Sequence, residues 1–184
     1  MKAIEEIGQK KLGRFILYSI LVVIYHGIIN HFLYFSPFRK YFLIILGAQI
    51  GTDSIIMDVR FINWHQKGPR GLTIKSKCFV SDGVMIDLYD SVKLGNNVTL
   101  AQRVLILTHT NVGYKDHPLQ RYFPKNSKPV IFKDGSFIGA NSTILPGVTI
   151  GKNSFVAAGS VVIKNVQSNT LVAGVPAVKV RRIS

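Results

Sequence analysis

The chain has 184 residues, 47% of them hydrophobic and 17% charged, which is the size of one domain and excludes a disordered polypeptide. Twenty-three lysines and arginines against nine aspartates and glutamates leave a formal charge of +14, which points to anionic partners. The basic residues are scattered and form no nucleic-acid-binding module, so a membrane surface and a phosphate-rich ligand account for the charge better.

Residues 1–14 are polar and net basic, and the run FILYSILVVIYHGIINHFLYF follows over 15–35. That length would suffice for a bilayer, which needs about 20 residues. No small-x-small cleavage site follows it, only Ser36-Pro37-Phe38-Arg39-Lys40, so it does not read as a secretory signal. On a helix Ser19, His26, Gly27, Asn30 and His31 share one sector roughly 140° wide. A narrow polar stripe on an apolar helix suits an element lying in the membrane interface. We favour membrane association; a hairpin with Tyr41–Leu46, or a helix packed on the rest of the chain, stays open. A full span is disfavoured because both flanks are basic. His26 and His31 are off the i, i+4 spacing of metal ligands. Residues 1–46 form this first, apolar helical unit.

Hexads then begin near Gly47, at Ile50 and Ile56. The segment Asn63 to Gly71, with Trp64 and His65, breaks their register and reads as a protruding loop. They resume at Ile74, Val80 and Ile86, slip by two residues, and continue at Leu94, Leu100 and Ile106. Cys78, the only cysteine, falls at a fifth position and reads as inward filler; a lone cysteine makes no internal disulfide and suits a reducing compartment. Residues 110–129 interrupt the repeat, and so long a loop in a compact domain is usually functional.

From Phe132 to Gln167 six hexads run without a gap. Their first positions are Phe132, Ile138, Ile144, Ile150, Val156 and Val162; their fifth positions are Ser136, Ser142, Val148, Ser154, Ser160 and Val166. This period is neither helical nor a plain strand alternation. It fits an all-β fold, a parallel β-helix in which three hexads close a coil and first positions stack. Gly135, Gly139, Asn141, Gly147, Gly151, Asn153 and Gly159 fall where corners need positive φ. The β-helix covers 47–167, and 168–184 form a C-terminal tail.

His109, at the root of the long loop, is a natural base for a hydroxyl near neutral pH. Stacked positions lie about eighteen residues apart. With the two-residue slip, Asp87 and Asp90 flank the place beneath His109. Either carboxylate could orient the imidazole or hold an acceptor, and one of them could instead satisfy a corner's amides. Asn111, in the loop, joins them as a candidate substrate-binding residue.

These hexads, Thr108-His109-Thr110 before the loop, the run FIGANSTILPGVTIGKNSFVAAGSVV and AGVPAVKVRRI resemble the hexapeptide-repeat acyltransferases, in particular the galactoside, maltose and polysaccharide O-acetyltransferase branch. The match covers about residues 45–183. The resemblance implies a left-handed coil, a homotrimer and acetyl-CoA in the groove between subunits, with no metal. It implies that His109 is the general base and that the Ala140 N–H helps stabilise the oxyanion. It puts Gly139, Ala140, Ala157, Ala158 and Gly159 along the pantetheine arm, and Lys164, Lys179 and Arg181 at the CoA phosphates, with Arg182 behind them. Asp87 falls where the family often holds the acceptor. The family's helical N-terminal segment is replaced here by residues 15–46, so its sugar-binding residues do not carry over.

The expected function is acetyl-CoA-dependent O-acetylation of a sugar hydroxyl in a surface polysaccharide or its lipid-linked precursor, at the cytoplasmic face of the cell membrane. The alternatives are N-acetylation of a nucleotide-linked amino sugar, a zinc hydratase of the γ-carbonic anhydrase type, and a non-catalytic β-helix scaffold.

Overall fold

The computed structural model describes residues 9–29 and 36–183. Three parallel sheets form the faces of a prism. Face A holds Gln49–Ile50, Leu72–Ile74, Val92–Leu94, Val130–Phe132 and Thr149–Ile150. Face B holds Ile55–Ile56, Phe79–Val80, Thr99–Leu100, Phe137–Ile138, Phe155–Val156 and Thr170–Gly174. Face C holds Val59–Ile62, Val84–Asp87, Leu105–Ile106, Thr143–Ile144 and Val161–Val162. The chain visits A, B and C in turn, and every coil-to-coil pairing within a face is parallel. This is the parallel β-solenoid that the hexads imply.

The first position of each hexad points inward. Phe132, Ile138, Ile144, Ile150, Val156 and Val162 are all buried, each opposite its equivalent in the next coil: Phe132 with Ile150, Ile138 with Val156, Ile144 with Val162. Each such side chain contributes about 1.5–3 kcal/mol by leaving water. The fifth positions are buried too, and two of their hydroxyls bridge coils: Ser142 Oγ donates to the Ala157 carbonyl at 3.0 Å and Ser154 Oγ to that of Gln167 at 2.6 Å. The Cys78 thiol is buried, and burial raises its pKa, so it fills space as expected. In the first coil the face C strand arrives one residue early, with Phe61 opposite Ile86.

Asn141 and Asn153 take positive φ, as do Gly135, Gly147 and Gly159, as the corners require. Gly139 and Gly151 do not. Their need is steric: a Cβ at Gly139 would collide with the backbone of Ala157 and Ala158, and one at Gly151 with that of Gln167 and Ser168. Glycine there lets successive coils close up.

Helix α1 (Gln9–Val23) runs into a π-helical turn, Ile24–Ile29, and helix α2 (Ser36–Ile45) leads into the first coil. Tyr25 and Leu43 are buried, and Tyr25 packs on Phe42, Phe61 and Trp64. The segment Asn63 to Gly71 therefore does not protrude. Trp64 is buried, a short 3-10 turn spans Gly68–Gly71, and Phe15 meets the His65 ring edge-on at 5.1 Å. Sequence inspection takes a break in register for a loop; here the break makes the seat for α1.

Of the expected polar stripe, Asn30 and His31 lie outside the described residues. Ser19, His26 and Gly27 line a pocket against face C, while Ile16, Leu17, Ile20, Val23 and Ile28 are exposed. Among the described residues no helix is long and apolar enough to cross a membrane. The tail turns back on itself: Ala177–Arg182 pairs antiparallel with Thr170–Gly174 and becomes the last strand of face B.

Candidate active site

Each coil passes from face C to face A through a corner, and three of these corners stack to build the site. Asn63 comes from the first, Asp87 from the second and Thr108-His109 from the third. Asp87 is fully buried, and donors from all three coils converge on its carboxylate. Oδ1 accepts from Asn63 Nδ2 at 2.8 Å and from the Tyr89 N–H at 3.0 Å. Oδ2 accepts from the Thr108 N–H and hydroxyl, both at 3.0 Å, and from His109 Nδ1 at 2.5 Å. Burial pushes the Asp87 carboxyl up, but the bonds from His109, Asn63 and Thr108 outweigh it and hold the group below its ordinary range.

With Nδ1–H given to Asp87, the imidazole is set in the tautomer whose Nε2 carries a lone pair. The Tyr89 ring stacks on it at 4.4 Å and 15°, fixing its plane. Lys125 Nζ lies 5.0 Å from the Tyr89 centroid, so the far end of the long loop returns to the dyad. The loop's root is a two-stranded ribbon pairing His109 with Ser127 and Thr110 with Asn126. The side chain of His109 keeps 22% of its surface exposed, enough for a substrate to reach it.

The other expected residues fall elsewhere. Asp90 Oδ1 accepts from the Ser91 N–H at 2.7 Å and lies 3.8 Å from Lys67 Nζ, which makes it a corner brace. Asn111 Oδ1 accepts from the Gly113 N–H and from Gln120 Nε2, both at 3.2 Å, inside the loop. Gly139, Ala140, Ala157, Ala158 and Gly159 lie at the corner between faces B and C, which is the opposite edge of face C from His109. There Ala158 and Gly159 are exposed, and a Cβ at Gly159 would meet nothing. The Ala140 N–H makes no backbone hydrogen bond among the described residues. Lys164 is on the His109 edge, two coils on, and Lys179 and Arg181 are exposed on the last strand of face B. Within one chain the imidazole and the small-residue edge do not meet.

Sequence reasoning missed Asn63, Tyr89 and Thr108. Thr108 stood beside a named residue. Asn63 was hidden because the insertion after it lengthens the coil, so hexad arithmetic could not place it over Asp87. Among the described residues no three His, Cys, Asp or Glu side chains gather as metal ligands.

Residues 129–164 match the family model for the bacterial transferase hexapeptide, six repeats. The chain is 36% identical over 91 residues to galactoside O-acetyltransferase of Escherichia coli (strain K12), 47% of this chain and 45% of that one. It is 29% identical over 143 residues to the putative colanic acid biosynthesis acetyltransferase WcaF of the same organism, 78% of this chain and 74% of that one. It spans less than half the length of the galactoside enzyme. A hexapeptide-repeat acetyltransferase from Vibrio cholerae, solved with acetyl-CoA, has the same fold: TM-score 0.78 at 23% identity, over 96% of this chain and 91% of that one.

Proposed function

We propose that this chain, which belongs to the hexapeptide-repeat transferase family, is an acetyl-CoA-dependent O-acetyltransferase acting on a sugar hydroxyl. The Asp87–His109 pair carries this reading. His109 Nε2 takes the proton from the acceptor hydroxyl as its oxygen attacks the acetyl carbonyl. Asp87 holds the ring and balances the imidazolium that forms. The proton then passes to the departing thiolate. Acetyl-CoA supplies the activated thioester. Small residues fit its pantetheine arm along Ala157–Gly159, and the Ala140 N–H is free to donate to the developing oxyanion. Lys164, Lys179 and Arg181 would meet its phosphates.

Because His109 and Ala140 stand on opposite edges of face C, a complete site needs a second copy, which favours a homotrimer with three grooves. The exposed apolar outer side of α1 favours contact with a membrane surface, and we place the enzyme at the cytoplasmic face, acting on a surface polysaccharide or its lipid-linked precursor. The protein incubated with acetyl-CoA and lipid-linked oligosaccharide should release free CoA, read with a thiol reagent. His109→Ala should abolish the release; undiminished turnover by that variant removes the mechanism.

A further inference from the structure

The pocket lined by Ser19, His26 and Gly27 lies between α1 with its π-helical turn and the outer side of face C. Its volume is about 1110 Å³. It runs from the corner bearing Gly83 and Arg103, across Arg60 and Met85, to Asn63 and Trp64. Asn63 is the residue that donates to Asp87, so the cavity ends on the corner that holds the dyad.

The walls carry polar groups that the fold leaves unused. Trp64 Nε1 is buried and has no hydrogen-bond partner. An indole N–H is only a donor, so it calls for an acceptor. His26 Nε2 is likewise buried and unpartnered. Burial lowers the pKa of His26, so the ring is neutral, and its unpartnered Nε2 pairs with a hydroxyl as donor or acceptor according to tautomer. The π-turn that carries His26 is of a kind frequent at functional sites. Arg60 and Arg103 are exposed on the cavity wall, and neither joins an ion pair among the described residues. Leaving buried donors and acceptors unpaired is costly, and an occupant would relieve it.

We propose that this cavity is the acceptor subsite and that it selects a sugar bearing an anionic group, phosphate or carboxylate, held by Arg60 and Arg103. This rests on the acetyltransferase reading above. Guanidinium forks bind both anions bidentately. Trp64 Nε1–H donates to a ring or hydroxyl oxygen, and a hydroxyl pairs with His26 Nε2. A neutral sugar satisfies the last two groups but not the first two.

Trp64 is the only tryptophan, so its fluorescence reports on the cavity without any cosubstrate. The full chain is titrated with glucose 1-phosphate, glucuronate and glucose. At least one anionic sugar should shift the emission saturably, at a concentration about tenfold or more below that needed for glucose. The phosphate and carboxylate arms tell which anion is preferred. Arg60→Gln combined with Arg103→Gln should bring the anionic sugars to the level of glucose while leaving the melting temperature near the parent's. Equal response to glucose, no saturable response to either anionic sugar, or a preference that survives in the double variant would overturn the proposal. His109→Ala should still show the shift. Turnover by His109→Ala would instead strike at the acetyl-transfer reading, so the two failures are distinguishable.

Discussion

Replacing Asp87 with asparagine separates what holds the dyad from what runs it. The Oδ1 side can be kept, because the amide oxygen still accepts from Asn63 Nδ2 and the Tyr89 N–H. The Oδ2 side becomes an NH2 facing the Thr108 N–H, the Thr108 hydroxyl and His109 Nδ1. The hydroxyl retains the Asp87 backbone carbonyl at 3.0 Å. The imidazole can answer by moving its proton to Nε2 and accepting at Nδ1. One buried donor, the Thr108 N–H, is then left unpaired, at a cost of about 1–3 kcal/mol in stability. The catalytic cost is larger, because Nε2 is now protonated and cannot act as base: a fall of about 10²- to 10⁴-fold in kcat is expected. CoA release measured under saturating acetyl-CoA, with the folded fraction measured by circular dichroism at the same temperature, reads both quantities. Asp90→Asn is the contrast. It removes a half-exposed contact with Lys67 at 3.8 Å and should leave kcat within about threefold. Asp87→Asn with near-parental kcat, or with a loss no greater than its unfolded fraction, would refute the assignment of the carboxylate as the group that sets the tautomer.

Other outcomes follow from the same geometry. The Asp87 carboxyl is held below its ordinary range in the folded chain, so its stabilisation is complete above the unfolded value of about 3.9 and is lost as pH falls through the lower folded value. Urea midpoints taken from pH 6 downward should therefore drop less steeply in Asp87→Asn than in the parent; equal slopes would contradict this. Gly139→Ala drives a Cβ into the next coil's backbone and should cost about 3 kcal/mol or more, whereas Gly159→Ala has open space and pays only about 1–2 kcal/mol for its positive φ. Thermal melts order the two, and a milder Gly139 variant would mean that the coils are not in the contact described. Ile144→Ala, at the buried centre of face C, should lower stability by about 2–5 kcal/mol in urea unfolding. A change under about 1 kcal/mol there would show that the inward stack does not hold the coil together.

The repeat made the solenoid legible because one apolar residue in six must face inward wherever three short strands close a triangle. The inward set from Phe132 to Val162 could be written down before any coordinates. So could the pairing of His109 with an aspartate near the position beneath it. The choice of Asp87 over Asp90 could not, since it depends on which side of a corner each carboxylate takes. The role of the glycines was legible only in part. Gly135 and Gly159 turn corners, but Gly139 is dictated by a neighbour in another coil, which a local reading does not see. The N-terminal unit was the least legible. Its apolar residues are divided between two surfaces, with Leu21, Val22 and Ile24 against the core and Ile16, Leu17 and Ile20 facing outward, and composition alone does not say which surface meets what.

The doubled-back final strand has a consequence for solubility. A prism of parallel strands ends in a row of unsatisfied amides and carbonyls, on which another molecule could continue the winding indefinitely. Here the chain closes face B with a strand of reversed direction, Ala177–Arg182, whose Lys179, Arg181 and Arg182 are exposed. A strand continuing the winding on face B would meet one of reversed direction carrying three exposed positive charges, which disfavours stacking on that face.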